Sequence, residues 1–229
     1  MKSLIFDAGP VISLATNNLL WILEPLKKKF NGKFYITEPV RKELVDRPLE
    51  TKKFKFEAIQ IERLIEQGVL DIVDNSFIRE ATPRLLDTAN QIFTAYSNYM
   101  KIVHFAEMSV IAAAISLNAD AIAIDEKTTR FLMENPRMIV EILRKTLHAS
   151  ISINENNLKE FKNTVKNIKI VRSIELVAIA YERGLLDSYI TKIPDARKNL
   201  LEGVLWGVKL NGCAVSKDEI EQIVRLEAK

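Results

Sequence analysis

The sequence predicts an α/β fold in which a central parallel sheet of four to five strands is flanked by helices. Short apolar runs rich in β-branched and aromatic residues recur along the chain, and longer segments of helical period separate them. With 229 residues the chain is long enough to bury a substantial core. It contains no internal repeat or low-complexity tract, so we expect a single domain over residues 1–229.

The strands are predicted from their short length and their apolar composition, which is typical of parallel strands covered on both faces. They lie at Ser3–Phe6, Lys33–Ile36, Ala121–Ile124 and Ile168–Val171, with a weaker one at Leu70–Val73. The last strand would need the N-terminal sheet to pair with, which also favours one domain.

N-terminal capping residues predict where two of the helices start. Thr37 is predicted to cap a helix with Pro39 in its first turn, and Ser216 to cap the last helix with Glu219 at the capping-box position. These signals are local, so they do not depend on the rest of the fold.

Three longer segments of helical period are predicted, and Pro136 interrupts or kinks the last of them. They are Phe77–Met100, His104–Leu117 and Glu126–Ala149. The polar, asparagine-rich stretch 150–167 that follows indicates a surface insertion.

The composition excludes several kinds of site. Cys213 is the only cysteine, so the chain cannot form an internal disulfide or a cysteine zinc cluster, and it fits a reducing cytoplasm. His104 and His148 lie too far apart to form a helical pair of metal ligands. A metal would therefore be a hard cation held by oxygen atoms. Neither a P-loop nor a dinucleotide-binding glycine motif occurs.

The N-terminal apolar segment does not match a signal peptide, because Asp7 and Gly9-Pro10 interrupt its apolar core. The longest other apolar run is about half of what a membrane helix needs. We expect a soluble cytoplasmic protein with no membrane contact. The net charge of +3 and the pI near 8.8 are compatible with a nucleic-acid partner but do not require one.

Four carboxylates are candidates for a common site. Asp7 and Asp125 follow two predicted strands, so both belong at the carboxyl edge of the sheet, where open α/β folds bind ligands. Glu107 lies early in the helix before the Asp125 strand, and 125 − 107 = 18 residues suffice for that helix and strand to bring the two acids together. Glu43 lies on the short helix after the second strand. Each acid could instead be a helix cap or an ordinary surface residue.

Carboxylates drawn together repel one another unless a cation lies between them. Such a cluster is best explained by bound Mg²⁺ or Mn²⁺. A metal pair of this kind activates water and stabilises the attacking and leaving oxygens in phosphodiester cleavage.

Several segments resemble the PIN-domain family in the order of that family's acidic motifs: LIFDAGPVISLATNNLLWIL, ITEPVRKEL and HFAEMSVIAAAISLNADAIAIDEKTTRFL. Two further segments resemble the C-terminal part of an archaeal and bacterial branch related to the VapC-type toxins: RSIELVAIAYERGLLD and KNLLEGVLWGVKLNGCAVSKDEIEQIV. The resemblance leaves residues 133–166 as a helical or surface insertion and matches residues 51–99 poorly.

The resemblance implies a three-layer PIN fold and Mg²⁺- or Mn²⁺-dependent hydrolysis of RNA, usually single-stranded. It makes the metal-binding and catalytic residues Asp7, Glu43, Glu107 and Asp125. It also implies a homodimer and an antitoxin-like protein regulator, while the length of the chain leaves an RNA-processing role open beside a toxin role.

Two residues depart from the family pattern, namely Gly9 where Ser or Thr is common and Ala123 where many members have Thr. A lost hydroxyl weakens the positioning of metal ligands. Glu126 is considered as an additional ligand beside Asp125. The alternative function is a catalytically weak PIN fold that serves as an RNA-binding or protein-interaction module.

Basic residues beside the acids are candidates for contacts with nucleic acid, namely Arg41, Lys42 and Arg130, which could equally pair with neighbouring carboxylates. Two clusters interleave lysines with aromatic residues, at residues 27–35 and at 52–56, as a surface for single-stranded nucleic acid does. For both clusters we favour the alternative, in which the lysines are solvated and the aromatic residues belong to the core.

Overall fold

The computed structural model describes residues 2–227, which form strands and helices in alternation. The strands are β1 (Lys2–Phe6), β2 (Gly32–Thr37), β3 (Asp71–Val73), β4 (Phe93–Ala95), β5 (Asn98–Tyr99), β6 (Ala121–Ala123), β7 (Ser152–Ile153) and β8 (Lys169–Val171).

The α-helices in this part of the chain are α1 (Ala8–Thr16), α2 (Leu23–Phe30), α3 (Glu38–Arg41), α4 (Arg47–Glu50), α5 (Lys55–Glu66), α6 (Ser76–Asn90), α7 (Phe105–Leu117), α8 (Lys127–Glu134), α9 (Pro136–Leu147), α10 (Glu155–Val165), α11 (Ser173–Glu182), α12 (Ala196–Leu210) and α13 (Lys217–Glu227). Short 3₁₀ turns cover Leu20–Ile22 and Asp187–Tyr189, and a π-helical turn, Lys42–Asp46, joins α3 to α4.

The main sheet has five parallel strands in the order β3-β2-β1-β6-β8. All five predicted strands are present, and their ends agree with the prediction to within one residue. In the centre of the sheet Leu4 of β1 is paired with Phe34 of β2 and with Ala121 of β6. The predicted α/β class, with a central parallel sheet and flanking helices as in a PIN fold, is confirmed.

Both faces of the sheet are covered. Ser3 to Phe6 of β1 are all buried although successive side chains point to opposite faces. Helix α7 contacts β1, β2 and β6, and it is buried over most of its length because it is apolar all round. Within residues 2–227, no helix is both long and apolar enough to cross a membrane.

The predicted end signals are confirmed at both helices. The Thr37 hydroxyl accepts a hydrogen bond from the Val40 N–H at the start of α3. Before α13, the Ser216 N–H donates to the Glu219 carboxylate, and the Glu219 N–H donates to the Ser216 hydroxyl. The predicted break at Pro136 is also present, because α9 begins there.

The helix predicted over Phe77–Met100 is wrong beyond Asn90. The chain instead forms the hairpin β4–β5, whose turn residues Tyr96 and Ser97 have positive φ angles. The Asn90 side chain accepts hydrogen bonds from the N–H groups of residues 102 and 103 and ends α6. The helical period of the sequence therefore did not decide the structure after Asn90. The hydrogen bonds of the Asn90 side chain and the pairing of β4 with a distant strand decided it.

That distant strand is β7, which pairs with β4 to complete a small antiparallel sheet. Residues 133–166, predicted as an insertion, thus contain α9, β7 and α10. Helix α10 packs on α6 and buries Phe161 and Val165. A single domain with an insertion at 133–166 stays a prediction, but this segment contributes buried side chains.

The two lysine-aromatic clusters differ. In the first, Phe34 is buried and its ring packs on that of Phe30, as the favoured alternative predicts for the aromatic residues. Lys27 is not solvated as that alternative predicts, because only 18% of its side chain is exposed and it pairs with Asp71. In the second, Phe54 and Phe56 are 38% and 68% exposed, so the prediction that these aromatic residues belong to the core is wrong.

Candidate metal centre

Asp7 leaves the central strand of the sheet and becomes the N-cap of α1. Its side chain is buried, with 5% of the residue surface exposed. Burial is the main cause that raises the pKa of Asp7 to about 7, and the negative charges of Glu107 and Glu43 raise it further. The backbone N–H groups of Ala8 and Gly9 act in the opposite direction.

Glu107 lies in the first turn of α7 and is buried as well. One of its oxygens, Oε2, accepts hydrogen bonds from the His104 N–H at 3.0 Å and from the Thr129 hydroxyl at 2.8 Å. Burial raises the pKa of Glu107 and the charge of Glu126 adds to this effect, while the two hydrogen bonds lower it. Thr129 on α8 therefore positions an acid on α7.

Glu43 lies on the π-helical turn after α3 and is more accessible than the other acids. Its only ion pair in residues 2–227 is with Arg47, at 3.7 Å and at the surface, where such pairs contribute little. The position of this turn depends on Thr37, whose hydroxyl is hydrogen-bonded to that of Ser109 on α7 at 2.6 Å. The short helix that leads to Glu43 is thus attached to the helix that carries Glu107.

Asp125 follows β6 and is almost fully buried. Its Oδ2 accepts hydrogen bonds from the hydroxyls of Ser13 and Ser173 at 2.8 and 2.6 Å, and its Oδ1 accepts one from the Ser173 N–H at 2.8 Å. The Asp125 carbonyl also accepts from the N–H of Ala214. This acid therefore joins α1, the start of α11 and the segment after α12.

Gly9 lies between the first and the last of these acids. A Cβ atom at this position would lie 3.3 Å from the Asp125 Cβ and 3.7 Å from an Asp7 carboxylate oxygen. Asp7 and Asp125 therefore approach each other from two sides of a residue that has no side chain.

The acids do not form a ready coordination shell. In the part of the chain that the structure describes, no group of three or more His, Cys, Asp or Glu side chains is placed so that it could hold a metal ion. Asp7 interacts with Glu107 and Glu43, and Glu107 interacts with Glu126, while the oxygens of Asp125 are taken up by serine hydroxyls and an N–H.

The chemical type of the donors nevertheless suits a hard divalent cation. They are carboxylate oxygens, which Mg²⁺ and Mn²⁺ prefer. Among residues 2–227, neither Asp7 nor Glu107 has a cationic side chain as an ion-pair partner. Two buried carboxylates that interact without a counter-ion are the kind of group that a bound cation stabilises.

The three predicted basic contacts differ in what surrounds them. Arg41 pairs with Asp46 at 2.8 Å and with Glu62 at 3.3 Å, so two carboxylates already neutralise its charge. Lys42 is the first residue of the π-helical turn and is exposed. Arg130 lies against the ring of Phe131, and its Nε is buried without a hydrogen-bond partner within the described residues.

Sequence reasoning missed the hydroxyl groups that hold the acids, namely Ser13, Thr129 and Ser173. Thr129 lies one turn after Asp125, and Ser173 follows the last parallel strand at the same sheet edge as the acids. The strand-end rule that selected Asp7 and Asp125 would also have selected Ser173.

Comparison with known proteins gives one match. The family model DUF3368, described as a PIN domain, matches residues 3–140. Neither the search of curated proteins nor the search of solved structures gives a match. The matched span contains all four candidate acids, and it ends before β7, β8 and the last four helices.

Proposed function

Because this chain belongs to the PIN-domain family, which indicates a nuclease or RNA-related function, we propose that it is a divalent-metal-dependent endoribonuclease. The proposed substrate is single-stranded RNA, and the reaction is hydrolysis of its phosphodiester bonds. The proposal places the chain in the VapC-like branch of the family, as the resemblance of its C-terminal segments implies.

The observation that supports the proposal most strongly is the pair Asp7 and Glu107. Both are buried, both have raised pKa values, and the charge of Glu107 is one of the causes that raise the pKa of Asp7. Burying two such carboxylates lowers stability when no cation is bound, because buried negative charge without a counter-ion is costly. Their placement is explained if they bind a cation.

In the proposal, Asp7 and Glu107 would hold the metal and Glu43 would complete the site at its more accessible side. Mg²⁺ or Mn²⁺ would supply an activated water and stabilise the charge that develops on the phosphate. Thr129 and the His104 N–H orient Glu107. Asp125, fixed by Ser13 and Ser173, supports the site from the side of Gly9.

The test is a cleavage assay with a panel of single-stranded RNAs and Mn²⁺ or Mg²⁺. We expect cleavage that EDTA stops, and we expect Asp7→Asn and Glu107→Gln to reduce it to background because each removes a carboxylate ligand. Asp87→Asn changes an exposed acid on α6 and is the matched control, which should cleave like the wild type. Absence of metal-dependent cleavage across the panel, or full activity of Asp7→Asn, would contradict the proposal.

A second candidate function is a catalytically weak module that binds RNA or protein. It is favoured by Asp125, whose two oxygens already accept three hydrogen bonds, and by Gly9, which leaves the site without the hydroxyl common in the family. In that case RNA would bind wild type and Asp7→Asn equally well and neither would cleave it.

The proposal also includes a homodimer and an antitoxin-like protein regulator, which rest on the family resemblance alone. Light scattering on the eluting protein tests the first of these, with a mass of twice 26.1 kDa as the expected result. A mass of one chain at micromolar concentration would overturn it.

A further inference from the structure

The turn between α4 and α5, together with the first two residues of α5, exposes a continuous run of basic and aromatic residues. Every residue from Lys52 to Phe56 is exposed, in the order Lys-Lys-Phe-Lys-Phe. Ile59, one turn further along α5, is 55% exposed as well. Contiguous exposed apolar groups of this kind mark a surface that contacts another molecule.

The backbone of Phe54, which carries one of these rings, has an energetically unfavourable conformation. Phe54 has φ = +62° and ψ = 18°, the left-handed region, which bulky residues rarely adopt. It is also the N-cap of α5, yet its side chain provides no capping hydrogen bond, whereas Asn suits both requirements. Neither the backbone nor the helix therefore explains a phenylalanine at this position.

The charged groups around the two rings are lysine ammonium groups, which are available to bind an anion. The ammonium of Lys53 lies 4.6 Å from the centre of the Phe54 ring. Among the described residues, Lys52, Lys53 and Lys55 form no ion pair with a carboxylate. The turn itself is held by Thr51, whose hydroxyl donates to the carbonyls of residues 48 and 53.

The turn is next to the candidate metal centre. Phe54 and Glu43 line the same small cavity of about 50 Å³, together with Leu44 and Pro48. The charge of Glu43 in turn acts on Asp7. A molecule held at Phe54 would therefore lie beside Glu43, the most accessible of the candidate acids.

We propose that residues 52–56 form a binding site for single-stranded RNA, in which bases stack on Phe54 and Phe56 and the lysines neutralise phosphates. This inference rests on the proposed function, because it names how the substrate strand is held beside the acids. Aromatic faces between lysines are the general means of binding single strands without sequence preference. A protein partner fits less well, since lysine is depleted at protein interfaces.

The test measures binding rather than cleavage, in EDTA, by the fluorescence anisotropy of a labelled 12-nucleotide single-stranded RNA. Phe54→Asn and Phe56→Ser should each weaken binding about tenfold, because each removes one stacking platform. Salt dependence is measured as the slope of the logarithm of the binding constant against the logarithm of the salt concentration. Replacing Lys52, Lys53 or Lys55 by Gln should in each case reduce the magnitude of this slope by about one.

The variants are chosen so that loss of folding cannot imitate loss of binding. Phe54→Asn should melt close to the wild-type temperature, because Asn accepts the left-handed conformation and caps α5, which offsets the packing that the ring loses against Leu44 and Pro48. The control is Tyr189→Ser, which removes a ring of comparable exposure, 47%, next to Trp21 and outside this turn. It should bind the RNA like the wild type.

The outcomes separate this inference from the proposed function. Weaker binding in the Phe54 and Phe56 variants supports the RNA site even if no cleavage is found in any condition. Unchanged RNA binding in both variants overturns it, even if Asp7→Asn abolishes cleavage. Unchanged RNA binding combined with loss of self-association in gel filtration would also overturn it and would assign the turn to a protein interface.

Discussion

At the scale of single residues, Asp7 and Asp125 both follow neighbouring strands, β1 and β6, but their surroundings differ. Asp7 is buried and the charges of Glu107 and Glu43 raise its pKa, whereas Asp125 accepts three hydrogen bonds. The first arrangement costs stability and the second contributes to it. Replacing each acid by its amide should therefore have opposite effects on stability.

Asp7 should make the metal-free protein less stable as the pH rises. Its pKa is 3.8 as a free side chain and about 7 in the folded protein, so the folded state binds the proton more tightly. The stability that this proton contributes is complete below about pH 4 and is lost as the pH rises to about 7. In EDTA, Asp7→Asn should lose this part of the pH dependence and exceed the wild type at pH 8 by on the order of 2–4 kcal/mol.

Thermal unfolding in EDTA between pH 4 and pH 8 measures this difference, with Asp87→Asn as the control that keeps the wild-type profile. A wild-type curve that rises between these pH values in parallel with that of Asp7→Asn would contradict the raised pKa.

Asp125→Asn should instead destabilise the protein at every pH in this range. An amide has one oxygen and an NH₂ group, so it cannot accept from the hydroxyls of Ser13 and Ser173 and from the Ser173 N–H as the carboxylate does. Loss of a buried hydrogen-bond acceptor costs about 1–3 kcal/mol. Urea unfolding at pH 7 gives this value, and a midpoint equal to that of the wild type would show that the serines do not depend on the carboxylate.

At the scale of elements, the position of Glu43 depends on a helix of one turn. Helix α3 is too short to be stable alone, and Thr37 both caps it and hydrogen-bonds to Ser109 of α7. The packing of α3 on α7 thus sets the relation between two candidate ligands.

Thr37→Ala should lower stability by about 1–2 kcal/mol, because it removes the cap and leaves the buried Ser109 hydroxyl with one partner fewer. It should also lower the rate of RNA cleavage, while Thr37→Ser, which keeps the hydroxyl, should restore most of both. The measurements are urea unfolding and the cleavage assay. A Thr37→Ala protein with wild-type cleavage would show that α3 does not position Glu43 for the reaction.

The elements also show which parts of the fold are readable from local sequence. The five parallel strands and the caps at Thr37 and Ser216 were predicted, because apolar runs and capping residues act over a few positions. The hairpin β4–β5 was not, since β4 is stabilised by β7, more than fifty residues away. A segment of helical composition became strand because of a partner that periodicity does not reveal.

At the scale of the whole molecule, the site is built from both halves of the chain. The match to the family ends at residue 140, but β8 completes the main sheet and Ser173, which follows it, holds Asp125. Arg172 fixes this corner through ion pairs with Glu175 and Glu219. The C-terminal part of the chain therefore contributes to the site although it carries none of the four candidate acids.

This construction explains what the sequence could and could not predict about the site. The placement of Asp7 and Asp125 at strand ends follows from two apolar runs and the geometry of parallel sheets. The contacts of Asp125 with Ser13 and Ser173 do not, because they join residues more than a hundred and nearly fifty positions away. Tertiary packing decides which acids lie near the charge of another acid and which accept hydrogen bonds from hydroxyl groups.

The central claim is that Asp7 belongs to a site for a divalent cation, and titration calorimetry of Mn²⁺ into the metal-free protein at pH 8 tests it most directly. We predict saturable binding to the wild type and to Asp87→Asn, and loss of that binding in Asp7→Asn. Equal binding to all three proteins, or none to the wild type, would contradict the claim.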